Sequence, residues 1–170
     1  KYVVEALLHL PMVLPPVVLG YLLLIVFGGN GWIGQWLQQW GIQLAFNWKG
    51  AVLAAMIVAF PLMVQPIRLS FQMINPQLEQ VANSLSVQPY KVFCSISLPL
   101  ALPGILIGSI LCFSRSLGEF GATITFVGNI PDETRTIPIA IYSLLQQPDG
   151  EQMALRLVLL SIGLAFAALL

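Results

Sequence analysis

The chain has 170 residues, of which 58% are hydrophobic and 8% charged, and its mean hydropathy is +0.87. Because soluble domains carry about 25% charged residues, this composition excludes a water-soluble globular domain and indicates a membrane protein. The seven basic and seven acidic side chains cancel, so the charge balance predicts neither a nucleic-acid surface nor a polybasic lipid-binding patch.

Four apolar runs approach the length of about 20 mostly apolar residues that a helix needs to cross a bilayer. They cover residues 10–27, 51–66, 98–113 and 153–170. Because backbone groups in lipid must be hydrogen-bonded internally, each run is predicted to be a helix. The chain begins at Lys1 rather than at a methionine and ends inside the fourth run. We therefore expect it to be an excerpt of a longer membrane protein.

Prolines are frequent in and near these runs: Pro11, Pro15, Pro16, Pro61, Pro99 and Pro103. A proline inside a helix removes a hydrogen bond and bends the helix, and neighbouring helices in a membrane can satisfy the freed carbonyl groups. The prolines therefore favour bent helices around a cavity. The alternative is that some of them occupy the first turn of a helix, where proline is tolerated, and this suits Pro99 and Pro11.

The connections between the runs differ in character. Residues 28–50 are rich in glycine, glutamine and tryptophan, and Trp32, Trp36, Trp40 and Trp48 are typical of an interfacial belt. Residues 67–97 form a polar excursion, and residues 128–152 carry an acidic excess. If residues 67–97 are cytoplasmic, the other two connections lie outside. The basic residues favour this orientation narrowly, with Lys1, Arg68 and Lys91 inside against Lys49 and Arg135 outside.

Within the polar excursion, the sequence from Asn75 predicts a short amphipathic helix. Asn75 suits the N-cap, and Pro76 suits the first helical position. One apolar face follows at helical spacing, formed by Leu78, Val81, Ala82 and Leu85. Pro89 is expected to stop this helix, and residues 90–97 to form a second segment before the third span. So short a helix is marginal alone, and its apolar face must bury against its own domain, the lipid headgroups or a groove on a partner.

This segment resembles the EAA loop of ABC importer permeases, whose coupling helix docks into the ATPase subunit. The Glu-Ala-Ala triplet of that family falls on Gln80-Val81-Ala82, its glycine on Ser86, and its closing Leu-Pro element on residues 96–99. The resemblance implies a cytoplasmic coupling loop at residues 75–97. It assigns the ATPase contact to Leu78, Glu79, Gln80, Val81, Ala82, Leu85 and Ser86. Gln80 cannot form the ion pair of a glutamate, and Ser86 lacks glycine's freedom at positive φ, so the helix is expected to continue there.

Arg115 and Glu119 follow the third apolar run directly. A charged side chain at the bilayer centre costs about 2.5–3.5 kcal/mol on insertion scales, so both are expected to face a protein interior or an aqueous path. A continuing helix would place them on one face, and a purely structural ion pair is the alternative interpretation. The surrounding hydroxyl groups and glycine N–H groups could meet an oxyanion weakly enough to release it again. They belong to Ser114, Ser116, Gly118, Gly121, Thr123 and Thr125.

The stretch RSLGEFGATITFVGNIPDETRTIPIAIYSLLQ resembles the signature of the molybdate permeases within the molybdate and sulfate importer family, and the similarity extends over essentially the whole chain. It implies an all-α membrane protein, a type I ABC importer permease. We expect a single domain over residues 1–170 with about four transmembrane helices and a coupling helix, lacking one or two N-terminal spans and the extreme C-terminus. The implied translocation path comprises Arg115, Ser116, Gly118, Glu119, Gly121, Thr123 and Thr125, supported by Phe120.

The same resemblance implies a short outer helix at residues 134–145. There Asn129, Thr134, Thr136 and Tyr142 would shape an outer gate or a docking face, with an ordinary loop as the alternative. The glycine cluster GGNGWIG lacks the Lys-Ser/Thr of a P-loop, and Cys94 and Cys112 lack metal spacing. We therefore expect a non-catalytic subunit without cofactor or metal, with ATP used by a partner chain.

The resemblance finally implies a set of partners and a location. The chain would act in the bacterial inner membrane with a second permease copy, two ATP-binding subunits and a periplasmic or extracellular molybdate-binding protein. Import of tungstate or sulfate by the same architecture is the nearest alternative. A passive channel or scaffold is the alternative from another class, and such a protein has no need of the excursion at residues 75–97.

Overall fold

The computed structural model describes residues 2–84 and 87–169, and within these ranges the chain is helical and contains no β-strand. It divides into two compact units, which are described separately. The first unit comprises Lys1–Pro61 and Phe113–Leu170, and the second comprises Leu62–Cys112. Both α4 and α7, defined next, contribute residues to each unit.

The helices follow one another with short connections. They are α1 (Tyr2–Val13), α2 (Pro16–Phe27), α3 (Trp32–Gln38), α4 (Trp48–Gln72), α5 (Pro76–Ser84), α6 (Pro89–Val92), a π-helical turn (Phe93–Ser97), α7 (Leu98–Leu117), α8 (Gly121–Val127), α9 (Ile137–Leu145) and α10 (Glu151–Leu169). Among the described residues, three helical stretches are long and apolar enough to cross a membrane: α4, the continuous stretch Pro89–Leu117, and α10. The expectation of about four spans is met if the bent pair α2–α3 is the fourth.

The first predicted span, residues 10–27, is not one helix. The helix breaks at Leu14 and Pro15, because a proline disfavours the helical conformation of the residue before it and neither Pro15 nor Pro16 has an N–H to donate. The remaining α2 has 12 residues and is about 18 Å long, too short to cross the hydrocarbon layer alone. It forms a bent pair with α3, at an angle of 54°, so the Trp-rich connection contributes a helix that the sequence did not predict.

The second and third spans are longer than predicted. Helix α4 has 25 residues and continues through Pro66 and Arg68, so residues 67–72 belong to a helix and not to the polar excursion. The third span begins at Pro89 rather than at residue 98 and ends at Leu117 rather than at residue 113. Helical structure extends beyond the apolar run in both cases. The fourth span was predicted within two residues of its start.

The core of the first unit lies where α2, α4 and α8 meet. It is built from buried aliphatic and aromatic side chains: Leu19, Leu23, Ala45, Ala54, Val58, Ala122, Phe126 and Val127. Helix α2 approaches α8 so closely that a Cβ on Gly20 would lie 2.5 Å from the carbonyl oxygen of Ala122. This close packing holds the short helix α8 firmly in the unit.

In the second unit, the first part of α7 packs against the end of α4 at two glycines. A Cβ on Gly104 would lie 2.6 Å from the carbonyl oxygen of Pro66 and would also collide with the hydroxyl of Ser70. A Cβ on Gly108 would lie 2.6 Å from the carbonyl oxygen of Met63. Because such distances are far inside van der Waals contact, only glycine permits this backbone approach, which is the small-residue packing common between membrane helices.

Candidate functional site

The first candidate site is the break between α7 and α8. Helix α7 ends at Leu117, and residues 118–120 are not helical, so the helix does not continue through the charged pair as the same-face argument assumed. The N–H of Glu119 donates a hydrogen bond to the carbonyl of Ser116 at 3.2 Å. The chain then turns at Phe120 into α8. This turn keeps the side chain of Glu119 next to the end of α7.

Arg115 and Glu119 form an ion pair at this break. The distance from Nη1 of Arg115 to Oε2 of Glu119 is 2.7 Å. Oε2 has no hydrogen bond of good geometry, so this close contact is its main electrostatic partner. The side chain of Glu119 is 1% exposed, whereas that of Arg115 is 32% exposed. The carboxylate is therefore sequestered in this chain, whereas the side chain of Arg115 remains partly exposed.

The other oxygen of Glu119 stabilises the start of α8. The N–H of Ala122 donates a hydrogen bond of 2.8 Å to Oε1. The first N–H groups of a helix have no partner within the helix, and the positive end of the helix dipole attracts a carboxylate. Glu119 thus links the last turn of α7, through Arg115, to the first turn of α8.

The remaining predicted path residues fall into two groups. Ser116 is half-buried and Gly118 is exposed, and both lie within three residues of Arg115 in the sequence. Gly121 packs on α2, where a Cβ would lie 2.9 Å from Cβ of Pro16, and Thr123 is buried. The hydroxyl of Thr125 donates to the carbonyl of Gly121 at 2.8 Å. Within this chain the second group supports α8, and its role in a path stays a prediction.

An apolar groove of about 600 Å³ runs beside the break. One wall is the end of α7 with Ser114 and Gly118, and the other walls come from α9 and α10. The ring of Phe120 lies at the edge of the groove and contacts that of Tyr142, with the two centroids 5.1 Å apart. Ser114 and Tyr142 are polar residues in the lining of this groove, and a contact of the Ser114 hydroxyl with an anion stays a prediction.

The predicted outer segment begins its helix at Ile137 and not at Thr134. Thr134 is buried, and its hydroxyl accepts a hydrogen bond from the N–H of Ile130 at 2.9 Å. It therefore holds the preceding turn instead of belonging to a helix. The hydroxyl of Thr136 is buried without a hydrogen-bond partner among the described residues. Both hydroxyls point into the chain, so neither offers a contact to a docking protein.

Side-chain hydrogen bonds fasten this outer loop. The amide oxygen of Asn129 accepts from Nε of Arg135 at 2.8 Å, and its amide nitrogen donates to the hydroxyl of Ser143 at 2.7 Å. The amide of Asn47 donates to Oε1 of Glu133 at 3.0 Å. Sequence reasoning treated Arg135 and Glu133 only as charges, and no spacing rule connects Asn47 to a residue 86 positions away.

The second candidate site is the amphipathic helix α5 in the second unit. The side chain of Asn75 accepts a hydrogen bond from the N–H of Gln77 at 2.9 Å, which confirms the N-cap, and Pro76 is the first helical residue. The described part of the helix runs to Ser84, and residues 87 and 88 are not helical. The helix therefore ends before Pro89, which begins α6 instead of stopping α5.

The predicted apolar face of α5 is divided between two environments. Ala82 is buried against its own chain, whereas Leu78 and Val81 are 45% and 61% exposed. Gln80 is also exposed. Leu85 and Ser86 lie outside the described residues, and the side chain of Glu79 is not described. Two large apolar side chains of the predicted contact thus remain available on the surface of this chain.

Sequence reasoning missed the structural features that hold the second unit together. The Gly104 and Gly108 pair has the G-x-x-x-G spacing of helix packing in membranes, which could have been recognised. The π-helical turn at Phe93–Ser97 and the parallel stacking of the rings of Phe71 and Phe93, 6.1 Å apart, have no such motif. Among the described residues, no group of histidine, cysteine, aspartate or glutamate could hold a metal ion.

Several long apolar helices, a broken span and a sequestered ion pair at a helix break define a multi-pass helical membrane protein. The chain belongs to the family of inner membrane components of binding-protein-dependent transport systems, which matches residues 1–170. It is thus a transporter membrane subunit and a multi-pass protein of the inner membrane. The type I permease fold implied by the sequence resemblance is that of this family.

Known relatives are similar to the chain over most or all of its length. The molybdenum transport system permease protein ModB of Escherichia coli strain K12 is 57% identical over 171 residues, covering 100% of this chain and 75% of the relative. ModB of Haemophilus influenzae is 54% identical over the same lengths. A probable sulfate transport system permease protein, cysT of Nephroselmis olivacea, is 36% identical over 149 residues, covering 88% of this chain and 52% of the relative.

Proposed function

We propose that this chain is the permease subunit of an ATP-driven molybdate importer that works by alternating access. The observation that carries the proposal is the 57% identity to a molybdenum transport permease over the full chain. Two copies of the chain would form the membrane part, with two ATP-binding subunits on the cytoplasmic side. A molybdate-binding protein on the outer side would deliver the anion. The chain itself would carry neither cofactor nor catalytic residues.

The geometry at the break between α7 and α8 suits a tetrahedral dianion. Arg115 is one-third exposed and already paired with Glu119, so its positive charge is partly neutralised. A conducting site must bind strongly enough to admit the solute and weakly enough to release it. A half-neutralised guanidinium flanked by Ser116 and Gly118 meets both needs better than a free cationic pocket, which would retain the anion.

Helix α5 supplies the surface that the ATPase subunits would grip. Leu78 and Val81 are exposed on α5, whereas Ala82 on the same apolar face is buried in its own unit. A short amphipathic helix that presents apolar side chains in this way suits a groove on a partner protein. Closure of the ATPase subunits on ATP would then move α5 together with the helices on which it packs. ATP can drive the change only if it binds the two conformations unequally.

Sulfate is a second candidate substrate, because the 36% identity to a probable sulfate permease places similar sequences in both transport systems. Molybdate, tungstate and sulfate are all tetrahedral dianions. A site built from one paired guanidinium, hydroxyl groups and backbone N–H groups has little means to distinguish them. We therefore assign the choice of anion mainly to the binding protein.

The test is uptake of labelled molybdate by the complete complex in proteoliposomes, with its own ATPase subunits and binding protein. We expect uptake that needs ATP and the binding protein and that an excess of unlabelled molybdate suppresses. Competition by tungstate and by sulfate, measured side by side, ranks the three anions. Uptake that proceeds equally well without ATP would contradict the proposal and favour a passive channel. Stronger suppression by sulfate than by the same concentration of unlabelled molybdate would identify sulfate as the preferred substrate.

A further inference from the structure

A π-helical turn, Phe93–Ser97, separates α6 from α7 in the second unit. Its last hydrogen bond runs from the N–H of Leu98 to the carbonyl of Phe93, five residues back, instead of the four of an α-helix. Such a turn contains one more residue than the α-helical path between the same two points. Turns of this kind are rare and occur frequently at functional sites.

Pro99 explains why the turn occurs here. In an α-helix the ring of a proline collides with the carbonyl four residues earlier, and its nitrogen cannot donate to it. For Pro99 that carbonyl belongs to Ser95, in the middle of the π turn. The π register ends at Leu98, directly before the residue that has no N–H. Widening of the helix by one residue is thus the local response to a proline at this position.

The π turn determines which side of the chain faces its neighbours. Its first residue, Phe93, stacks on Phe71 near the end of α4, with the ring planes only 6° apart, and its last residue, Ser97, is buried. Helix α5 packs against both α6 and the turn, with Ala82 and Val92 buried. The orientation of α5 on α7 therefore depends on the number of residues in this turn.

We propose that Pro99 is a positioning residue that fixes the register between α7 and the docking helix α5, and that importer coupling depends on that register. This inference rests on the proposed function, because it assigns α5 to the ATPase contact. Loss of the π turn would rotate the segment before it by about 100° and shift it by about 1.5 Å relative to α7. Leu78 and Val81 would then point in another direction while the helices themselves persist.

The rotation makes a specific prediction for the side chain opposite Phe71. With the extra residue removed from the turn, the position next to Phe71 passes from residue 93 to residue 94, which is Cys94. A cysteine introduced by Phe71→Cys, in a chain that also carries Cys112→Ser, can therefore show which residue lies next to position 71. With Pro99 present and with Phe93→Cys and Cys94→Ser added, the cysteines at positions 71 and 93 should form a disulfide. With Pro99→Ala, the cysteine at position 71 should instead form a disulfide with the native Cys94.

Coupling is measured in proteoliposomes as molybdate taken up per ATP hydrolysed, together with retention of the ATPase subunits on purification. We expect Pro99→Ala to retain the ATPase but to lower this ratio by about tenfold, within the usual range of allosteric coupling. Pro103→Ala is the matched control, because Pro103 is also exposed but lies in the regular part of α7. The ratio of molybdate to ATP for this variant should stay near that of the unmodified protein.

Pro99→Ala combined with deletion of Ser95 should restore the ratio. A regular helix with one residue fewer places residue 93 and the residues before it in their original orientation on α7.

Two results would overturn the inference. One is a disulfide between residues 71 and 93 that still forms when Pro99→Ala is added to the chain with Phe71→Cys and Phe93→Cys, since the proline would then not set the register. The other is a switch to Cys94 with an unchanged coupling ratio, since the register would then not matter for transport. Failure of the proposed function is distinguishable from both, because it would appear as ATP-independent uptake in the unmodified complex, while the disulfide pattern still reports on the role of Pro99.

Discussion

The guanidinium of Arg115 and the carboxylate of Glu119 lie 2.7 Å apart, although the helix that carries Arg115 ends between them, at Leu117. The contact is therefore not the ordinary pairing of side chains one turn apart on a helix. It joins two helices, since the same carboxylate also accepts the N–H of Ala122 in α8. A change at Glu119 therefore affects both the neutralisation of the positive charge of Arg115 and the hydrogen bond that attaches the start of α8.

Glu119→Gln is expected to impair transport without preventing assembly. The amide oxygen can still accept the N–H of Ala122, so α8 keeps its cap, but Arg115 loses its counter-charge. An unpaired guanidinium should hold an anion too tightly, and we expect the uptake rate to fall by about tenfold, equivalent to about 1.4 kcal/mol. The measurement is molybdate uptake in proteoliposomes with equal amounts of complex.

Glu151→Gln is the control for this change, because Glu151 is an exposed carboxylate in the first turn of α10. It should transport at nearly the unmodified rate. If Glu119→Gln also transports normally, the ion pair has a structural role only, and the translocation path lies elsewhere.

Leu78→Asp combined with Val81→Asp is expected to abolish binding of the ATPase subunits. Leu78 and Val81 are exposed on α5, and aspartates at these positions would bring two charges into the apolar groove proposed on the ATPase. Burial of an unpaired charge there is costly. Co-purification of the ATPase with the tagged permease measures the effect. Gln77→Asp adds a charge at the exposed start of the same helix and should leave binding intact. Normal recovery of the ATPase with the double variant would show that α5 is not the docking element.

Gly104→Ala is expected to destabilise the second unit. The added methyl group would meet the carbonyl of Pro66 at 2.6 Å and the hydroxyl of Ser70, and overpacking of this kind typically costs about 1–3 kcal/mol. Thermal unfolding in detergent should shift to lower temperature. Gly163→Ala, where a Cβ meets nothing within 4 Å, is the matched change in α10 and should be neutral or slightly stabilising. Equal melting of the two variants would refute the close packing of α4 and α7.

Thr134→Val and Thr136→Val are expected to differ although they are two residues apart in one loop. The hydroxyl of Thr134 accepts the N–H of Ile130, and its loss leaves a partly buried donor unsatisfied, at a cost of about 1–3 kcal/mol. The hydroxyl of Thr136 is buried without a partner, so valine should be neutral or stabilising there. Thermal unfolding compares the two. A larger loss for Thr136→Val than for Thr134→Val would mean that this hydrogen-bond assignment is wrong.

The class of fold and the approximate positions of the spans could be predicted from the sequence, because the thickness of the bilayer sets the length of an uncharged apolar run. The predicted helix ends were wrong where prolines and backbone hydrogen bonding, and not hydropathy, determine where a helix stops. The run at residues 10–27 is apolar throughout, but Pro15 and Pro16 divide it. Conversely, α4 continues past Pro66 and Arg68, because a helix end is set by hydrogen bonding and not by the end of an apolar run.

The candidate sites were predicted unevenly for a similar reason. The cap at Asn75 follows from local spacing, and the structure contains it. Arg115 and Glu119 are paired as expected, but across a helix break and not along the continuing helix that the spacing argument assumed. Thr123 was expected near an anion because of its hydroxyl, yet it lies on a buried side of α8, since residue type does not reveal which way a side chain points. The contacts of Asn47 and Phe71 join distant parts of the sequence and could not be read from one chain without its fold.

The contrast between α8 and α10 has a consequence for how this sequence can vary. Helix α8 has seven residues, and Ala122, Phe126 and Val127 are completely enclosed, so almost any change of volume there should be harmful. Helix α10 has 19 residues but is the least buried of the long helices, and within this chain Leu159 and Leu160 can exchange with other aliphatic residues freely. Mutational tolerance should therefore be lowest in one of the shortest helices and highest in one of the longest.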